Sequence, residues 1–183
     1  MAIALIPGTI KNMVSLAGPF FMFATLLVLS GIPKLTRPEG TARALAAVGF
    51  PARRNLGRAV GVAEIIVGAS ALVFGGPITA AAMALLYTGF AAFIMVALRS
   101  EKAKSCGCFG SDDTPPSLVH LGVDVAAAAV AVMLVVRPIG DLVTTMGETP
   151  WAGFPLLLLI LIGTWLALLV LALMPAVFNQ ART

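Results

Sequence analysis

Long apolar runs alternate with short polar segments along the whole chain. A transmembrane helix needs about 20 predominantly apolar residues, and five runs reach approximately that length. The pattern therefore predicts an all-α integral membrane protein with five spanning helices. We place these spans at residues 14–32, 56–74, 78–98, 118–136 and 154–174.

The first polar connection, residues 34–55, carries the pattern of a short helix. Pro38 and Glu39 are typical of a helix start, and Gly49 and Pro51 are typical of a helix end. Because this helix would have a modest apolar stripe and several arginines on its other faces, we expect it to lie in the membrane interface.

Capping and small residues predict how the other spans begin, end and pack. Thr114, which precedes two prolines, is predicted to cap the fourth span. Residues 137–150 are predicted to form a second polar loop, and Pro175 is predicted to close the fifth span. Gly57 and Gly61 form a G-x-x-x-G pair in the second span, which predicts close approach to a neighbouring helix.

The composition agrees with a membrane protein and argues against nucleic-acid binding. Hydrophobic residues make up 60% of the chain and charged residues 11%, whereas soluble domains carry about 25% charged residues. The formal net charge is +4, but no basic run with interleaved aromatic residues accompanies it. In a membrane protein such an excess reflects topology, so we expect a lipid bilayer around the chain and no nucleic-acid partner.

The only two cysteines of the chain lie one residue apart, in Cys106-Gly107-Cys108 between the third and fourth spans. A disulfide between them would close a small, strained ring, and strained disulfides are more oxidising and exchange more readily. Neighbouring lysines favour the thiolate, which is the reactive form. Redox chemistry is the leading interpretation. A metal site that also uses His120, and a pair of inert buried thiols, stay open as alternatives.

Four more polar groups are predicted to converge on the end of the bundle that holds the cysteines. Lys34 lies where the first span ends, and Glu64 lies about eight residues into the second span. Asp124 lies at a similar depth in the fourth span, and His120 is one turn above it on the same face. Charges inside a membrane mark function or an internal ion pair. The structural alternatives are that Glu64 pairs with Lys34 or Arg58, and that Lys34 snorkels to the interface.

These residues suggest roles in a thiol–disulfide exchange. One cysteine, preferably Cys106, attacks a partner's disulfide as a thiolate, and the other resolves the mixed disulfide. Asp124 or His120 would move the proton, while Lys34 and Glu64 would hold the charge balance of the site. The sequence indicates no cofactor, and no segment indicates a quinone site. The candidate catalytic residues are Cys106, Cys108, His120, Asp124, Glu64 and Lys34.

The cysteine segment and three other segments resemble a known family. Residues 106–110, C-G-C-F-G, resemble the motif of the MauE family, the membrane proteins of methylamine utilisation clusters. Residues 30–35, 38–45 and 64–68 are similar to segments that this family shares with the broader DoxX-like group. The resemblance covers roughly residues 14–136, and the cysteine motif is what favours MauE over DoxX.

The resemblance implies a DoxX-like four-helix transmembrane bundle over residues 14–136, to which residues 137–183 add a loop and a C-terminal transmembrane helix. It also implies thiol–disulfide exchange with a thioredoxin-like partner during the maturation of disulfide-rich envelope proteins. Val123 departs from the family, whose members often carry an arginine there. Because the fifth span lies outside the resemblance, the alternative is a non-enzymatic assembly or accessory subunit of a larger membrane complex.

The distribution of charge predicts the orientation in the bacterial plasma membrane. With five spans, ten of the twelve Lys and Arg residues fall on the side of the cysteine loop, and only Lys11 and Arg137 fall on the other. The positive-inside rule therefore predicts a cytoplasmic cysteine loop and an external N-terminus. Stable disulfides belong to compartments outside the cytoplasm, so a pair on this side would be a transient redox pair.

Overall fold

The computed structural model describes the backbone of residues 7–100, 107 and 115–180, and the side chains of these residues except 7–15, 150, 152 and 172–180. The described part of the chain contains helices and no strand. A short 3₁₀-helix, Pro150–Gly153, precedes the last helix. The α-helices are α1 (Pro7–Thr36), α2 (Glu39–Ala47), α3 (Arg54–Val73), α4 (Gly76–Arg99), α5 (Leu118–Val136), α6 (Leu142–Glu148) and α7 (Phe154–Gln180).

Five helices of the described chain are long and apolar enough to cross a membrane. They are Leu16–Thr36 within α1, Phe154–Leu171 within α7, and the whole of α3, α4 and α5. This confirms the predicted all-α integral membrane protein. The first span was predicted to end at Ile32, but α1 continues through Pro33 to Thr36 and therefore places Lys34 on the helix.

The fourth span begins at Leu118, as predicted, but its predicted cap is wrong. Thr114, the predicted cap, lies outside the described residues, and α5 begins at Leu118 with Ser117 as its cap. The hydroxyl of Ser117 accepts a hydrogen bond from the backbone N–H of His120 at 3.4 Å. An N-cap side chain satisfies one of the N–H groups that a helix start leaves without an intrahelical partner, so Ser117 fixes where the helix begins.

Two predictions near the C-terminal span are also wrong. The connection after α5 is not wholly a loop, because Asp141 caps α6 by accepting hydrogen bonds from the hydroxyl (2.6 Å) and the backbone N–H (3.0 Å) of Thr144. These bonds hold the pKa of the Asp141 carboxyl below its usual value. Pro175 does not close the last span, since α7 continues to Gln180. A proline removes one backbone hydrogen bond, and membrane helices tolerate this loss.

The core lies around α1, which is the most buried of the five spans. α1 packs most extensively on α3, α4 packs most extensively on α5, and α7 packs against α1. The buried side chains are mostly alanine and phenylalanine from α1 with small or aliphatic residues from its neighbours. They include Ala17, Phe20, Phe21, Ala24, Leu27, Ala71, Met83, Ala127, Ala131 and Leu134.

Glycines bring α1 and α3 into close contact, as the G-x-x-x-G pair predicted. A Cβ added to Gly61 would lie 2.8 Å from the carbonyl oxygen of Gly31, which leaves no room for a side chain there. A Cβ on Gly57 would lie 2.6 Å from the carbonyl oxygen of Pro38, just before α2. Glu64 is one turn beyond Gly61 on the same buried face of α3. The glycine contact therefore brings the Glu64 carboxylate close to α1.

Candidate functional site

One cavity of about 370 Å³ lies among the first five helices, and Leu171 of α7 also contributes to its wall. Apolar side chains form most of its wall, including several from the α3 and α4 faces. The four predicted site residues that the structure describes all line this cavity, together with Gly107 from the cysteine segment. The polar residues of the wall, with this glycine, are Ser30, Lys34, Thr41, Glu64, Tyr87, Gly107, His120 and Asp124.

Lys34 and Glu64 form a buried ion pair on the cavity wall. The Lys34 Nζ lies 2.7 Å from each carboxylate oxygen of Glu64 and also donates to the carbonyl oxygen of Ser30 at 3.2 Å. Lys34 is only 3% exposed and Glu64 only 2%, so Lys34 does not snorkel. The ammonium also lies 6.0 Å from the ring centroid of Phe90, within range of a cation–π interaction. Arg58, the other predicted partner of Glu64, is exposed.

His120 and Asp124 lie one turn apart on α5, and both face the cavity. His120 is 3% exposed, and its Nδ1 lies 2.8 Å from the hydroxyl of Ser117. This hydrogen bond fixes the orientation of the imidazole ring. Asp124 is partly buried. The cavity wall therefore carries two groups that can accept or donate protons, in addition to the Lys34–Glu64 pair.

The cysteine segment reaches the same cavity through Gly107. Cys106 and Cys108 themselves lie outside the described residues, but Gly107 is buried and lines the cavity. Its carbonyl oxygen accepts a hydrogen bond from the hydroxyl of Thr41 on α2 at 2.8 Å. Gly107 has a φ of +62°, a conformation that glycine adopts without steric cost. The first turn of α2 therefore holds the peptide that leads from Gly107 to Cys108.

The close fit of Gly107 against α2 predicts a large effect of a single methyl group. In Gly107→Ala the new Cβ would lie 2.8 Å from the Thr41 Cα and 2.9 Å from the Gly40 carbonyl oxygen. Overpacking of this kind costs about 1–3 kcal/mol. Gly49→Ala is the matched control, since Gly49 also has a positive φ, +104°, but has open space around it. We expect Gly107→Ala to destabilise the purified protein by about 1–3 kcal/mol more than Gly49→Ala in detergent unfolding. Equal losses of stability in Gly107→Ala and Gly49→Ala would contradict the close contact of Gly107 with α2.

The structure also places residues on the cavity wall that the sequence did not single out. Thr41 lies in the segment that was predicted to form the interfacial helix, but nothing in the sequence indicates its bond to Gly107. Tyr87 had a usable signal, because it is the only tyrosine of the chain and lies within an apolar span. Its hydroxyl donates to the carbonyl oxygen of Phe23 at 2.8 Å, which ties α4 to α1.

No group of three His, Cys, Asp or Glu side chains with the arrangement of metal ligands occurs among the described residues. The metal site considered from the sequence uses Cys106 and Cys108 with His120. The two cysteines lie outside the described residues, so this alternative stays a prediction. Among the described groups of the wall, the ion pair and the α5 side chains suit proton transfer and charge balance.

Comparison with known proteins identifies the family. The family described as "Methylamine utilisation protein MauE" matches residues 11–138. The match covers well over half of the chain and contains α2, α3, α4, α5 and most of α1. No curated protein and no solved structure shows significant similarity to the chain. The chain belongs to the MauE family and is a multi-pass membrane protein of that family.

Proposed function

We propose that this MauE-family protein is a membrane thiol–disulfide redox protein. Its Cys106-Gly107-Cys108 segment exchanges electrons with a thioredoxin-like partner and so supports the maturation of envelope proteins. One observation carries the proposal: Gly107, the residue between the two cysteines, lines the cavity that also holds His120 and Asp124. The redox unit is residues 14–136, to which residues 137–183 add the last transmembrane helix.

The position of Gly107 limits how far the two cysteines can be from the cavity. Consecutive Cα atoms are about 3.8 Å apart across a trans peptide, so each cysteine is tethered within one residue of the cavity wall. Thr41 holds the peptide between Gly107 and Cys108 by its hydrogen bond. The cavity wall that Gly107 lines also carries His120 and Asp124, which can receive the protons released by thiols.

The exchange proceeds in two displacement steps. The Cys106 thiolate attacks a disulfide of the partner, which forms a mixed disulfide and releases one partner thiolate. Cys108 then attacks the mixed disulfide, which closes the Cys106–Cys108 disulfide and leaves the partner as a dithiol. His120 or Asp124 passes the proton that Cys108 loses to one departing partner thiolate, and the other partner thiolate takes up the proton that Cys106 released when it ionised. Two electrons thereby pass to the partner. The steps are reversible, and the strain of the small ring favours the direction that transfers the disulfide to the partner.

The double variant Cys106→Ser/Cys108→Ser is expected to abolish redox cycling of the thioredoxin-like partner. The measurement is the ratio of reduced to oxidised partner in cells, determined by thiol alkylation and gel shift. The single variants assign the roles: Cys108→Ser is expected to trap a mixed disulfide through Cys106, whereas Cys106→Ser traps none. Unchanged cycling in the double variant would rule out the redox function.

The position of α7 favours a second candidate, a non-enzymatic assembly or accessory subunit. α7 begins at Phe154, beyond the matched family region, and it exposes many large apolar side chains, among them Leu159, Ile162 and Trp165. Such a face suits contact with another membrane subunit as well as with lipid. For this candidate, the double serine variant keeps both the function and the co-purification of a larger complex.

A further inference from the structure

The cavity wall includes exposed residues of α4 and residues of the neighbouring α3. These two helices pack less extensively on each other than each packs on its main partner. Leu85 and Gly89, one turn apart near the middle of α4, are exposed and also form part of the cavity wall; Leu85 is 77% exposed. A molecule dissolved in the bilayer can therefore enter from the side. The volume, about 370 Å³, lies within the range of about 300–1,000 Å³ that is typical of ligand pockets.

The polar end of the cavity favours a neutral head group. A lysine ammonium has three donors, and those of Lys34 have three acceptors within 3.2 Å: both Glu64 oxygens and the Ser30 carbonyl oxygen. The carboxylate of Glu64 cancels the charge of Lys34. The carboxylate of a fatty acid or the phosphate of a phospholipid would therefore find no counter-charge in the Lys34–Glu64 pair.

The wall next to the ion pair is aromatic. Tyr87 packs edge to face on Phe90, with ring centroids 6.2 Å apart and an interplanar angle of 88°, and on Phe23 at 5.9 Å. Phe93 continues this wall one turn further along α4. Aromatic faces and edges of this kind favour stacking with a flat ring. The ligand that fits is therefore mostly apolar, neutral and planar at its polar end.

We propose that the cavity binds a lipid-soluble quinone, which accepts the electrons of the cysteine pair. The inference rests on the proposed function: a pair that transfers its disulfide to a partner is left as a dithiol and needs an acceptor. In the step, the two thiols form one disulfide and lose two electrons and two protons. The quinone gains two electrons and two protons and becomes a hydroquinone. His120 and Asp124 on the wall carry the protons between the two reactants.

The test is equilibrium binding of decylubiquinone to the purified full-length protein in lipid nanodiscs, followed by the shift in unfolding temperature. We expect saturable stabilisation of the wild type and of Cys106→Ser/Cys108→Ser alike, because binding needs no thiol. Leu85→Trp fills the opening and is expected to weaken binding about tenfold or more. Ile78→Trp is the matched control, since Ile78 is exposed on the same helix but does not line the cavity.

The outcomes separate this inference from the proposed function. No saturable binding, or equal binding by Leu85→Trp and the wild type, would overturn the quinone site even if the partner still cycles. Equal stabilisation by decanol, which lacks the ring, would identify a lipid tail as the occupant and overturn it as well. Binding that does not lead to a Cys106–Cys108 disulfide in the wild type would instead contradict the redox coupling, while the binding site itself would stand.

Discussion

Removing one partner of the Lys34–Glu64 pair is expected to destabilise the protein by about 3–5 kcal/mol, because the other charge is then left buried without compensation. In Glu64→Gln the Lys34 ammonium keeps the Ser30 carbonyl oxygen and one amide oxygen as acceptors, but it loses the carboxylate charge 2.7 Å away. In Lys34→Met the Glu64 carboxylate loses the ammonium 2.7 Å away. The measurement is the unfolding free energy of the purified variants in detergent.

The double variant and a surface pair supply the controls for this prediction. Lys34→Met/Glu64→Gln removes both charges and is expected to be more stable than either single variant, because replacing a whole buried pair is often neutral. Glu39→Gln breaks the exposed pair with Arg54, whose atoms are 3.2 Å apart, and is expected to cost at most about 1 kcal/mol. Additive losses in the double variant would contradict a direct Lys34–Glu64 interaction.

Gly61→Ala is expected to push α1 away from α3. Because Lys34 lies on α1 and Glu64 on α3, this movement also disturbs the Lys34–Glu64 ion pair. The added Cβ would lie 2.8 Å from the carbonyl oxygen of Gly31 and 2.9 Å from the Cβ of Lys34. Neither the backbone nor a Cβ can rotate away, so a helix must move, at a cost of about 1–3 kcal/mol from overpacking. The shift acts on Lys34 itself. We therefore expect Gly61→Ala to lower the unfolding free energy in detergent. The loss is expected to be smaller when Gly61→Ala is added to Lys34→Met/Glu64→Gln than when it is made in the wild type.

Gly122→Ala is the matched control for the α1–α3 contact. Gly122 lies within a helix, as Gly61 does, but nothing lies within 4 Å of a Cβ added there. Since alanine is a better helix former than glycine by up to about 1 kcal/mol, this variant is expected to be at least as stable as the wild type. Equal stability of Gly61→Ala and Gly122→Ala would show that the two helices do not approach each other at Gly61.

The spans and the convergence of the polar groups could be predicted because both follow from chain length and helical geometry. An apolar run of the right length fixes the position of a span. Once the spans alternate in direction, the depths of Glu64 and Asp124 and the spacing of His120 from Asp124 place all three at one end of the bundle. The ion pair of Glu64 with Lys34 was one of the alternatives, but only the extension of α1 through Pro33 shows why Lys34 faces inward.

The remaining features depend on tertiary contacts that leave little trace in a single sequence. Thr41 and Gly107 are separated by 66 positions and are joined by one hydrogen bond, which no local pattern indicates. Ser117 and Thr114 are both good capping residues, so the choice between them depends on where α5 packs. α6 is only seven residues long, too short for its apolar periodicity to distinguish it from a loop.

The most direct test of the redox function is the state of Cys106 and Cys108 in intact cells. The cells are treated first with a membrane-impermeant maleimide and then with a permeant one, with and without reductant. We expect labelling of both cysteines to increase with reductant. The charge distribution further predicts that only the permeant reagent reaches them. Two thiols that stay reduced and unreactive under every condition would contradict the redox function and favour the assembly subunit.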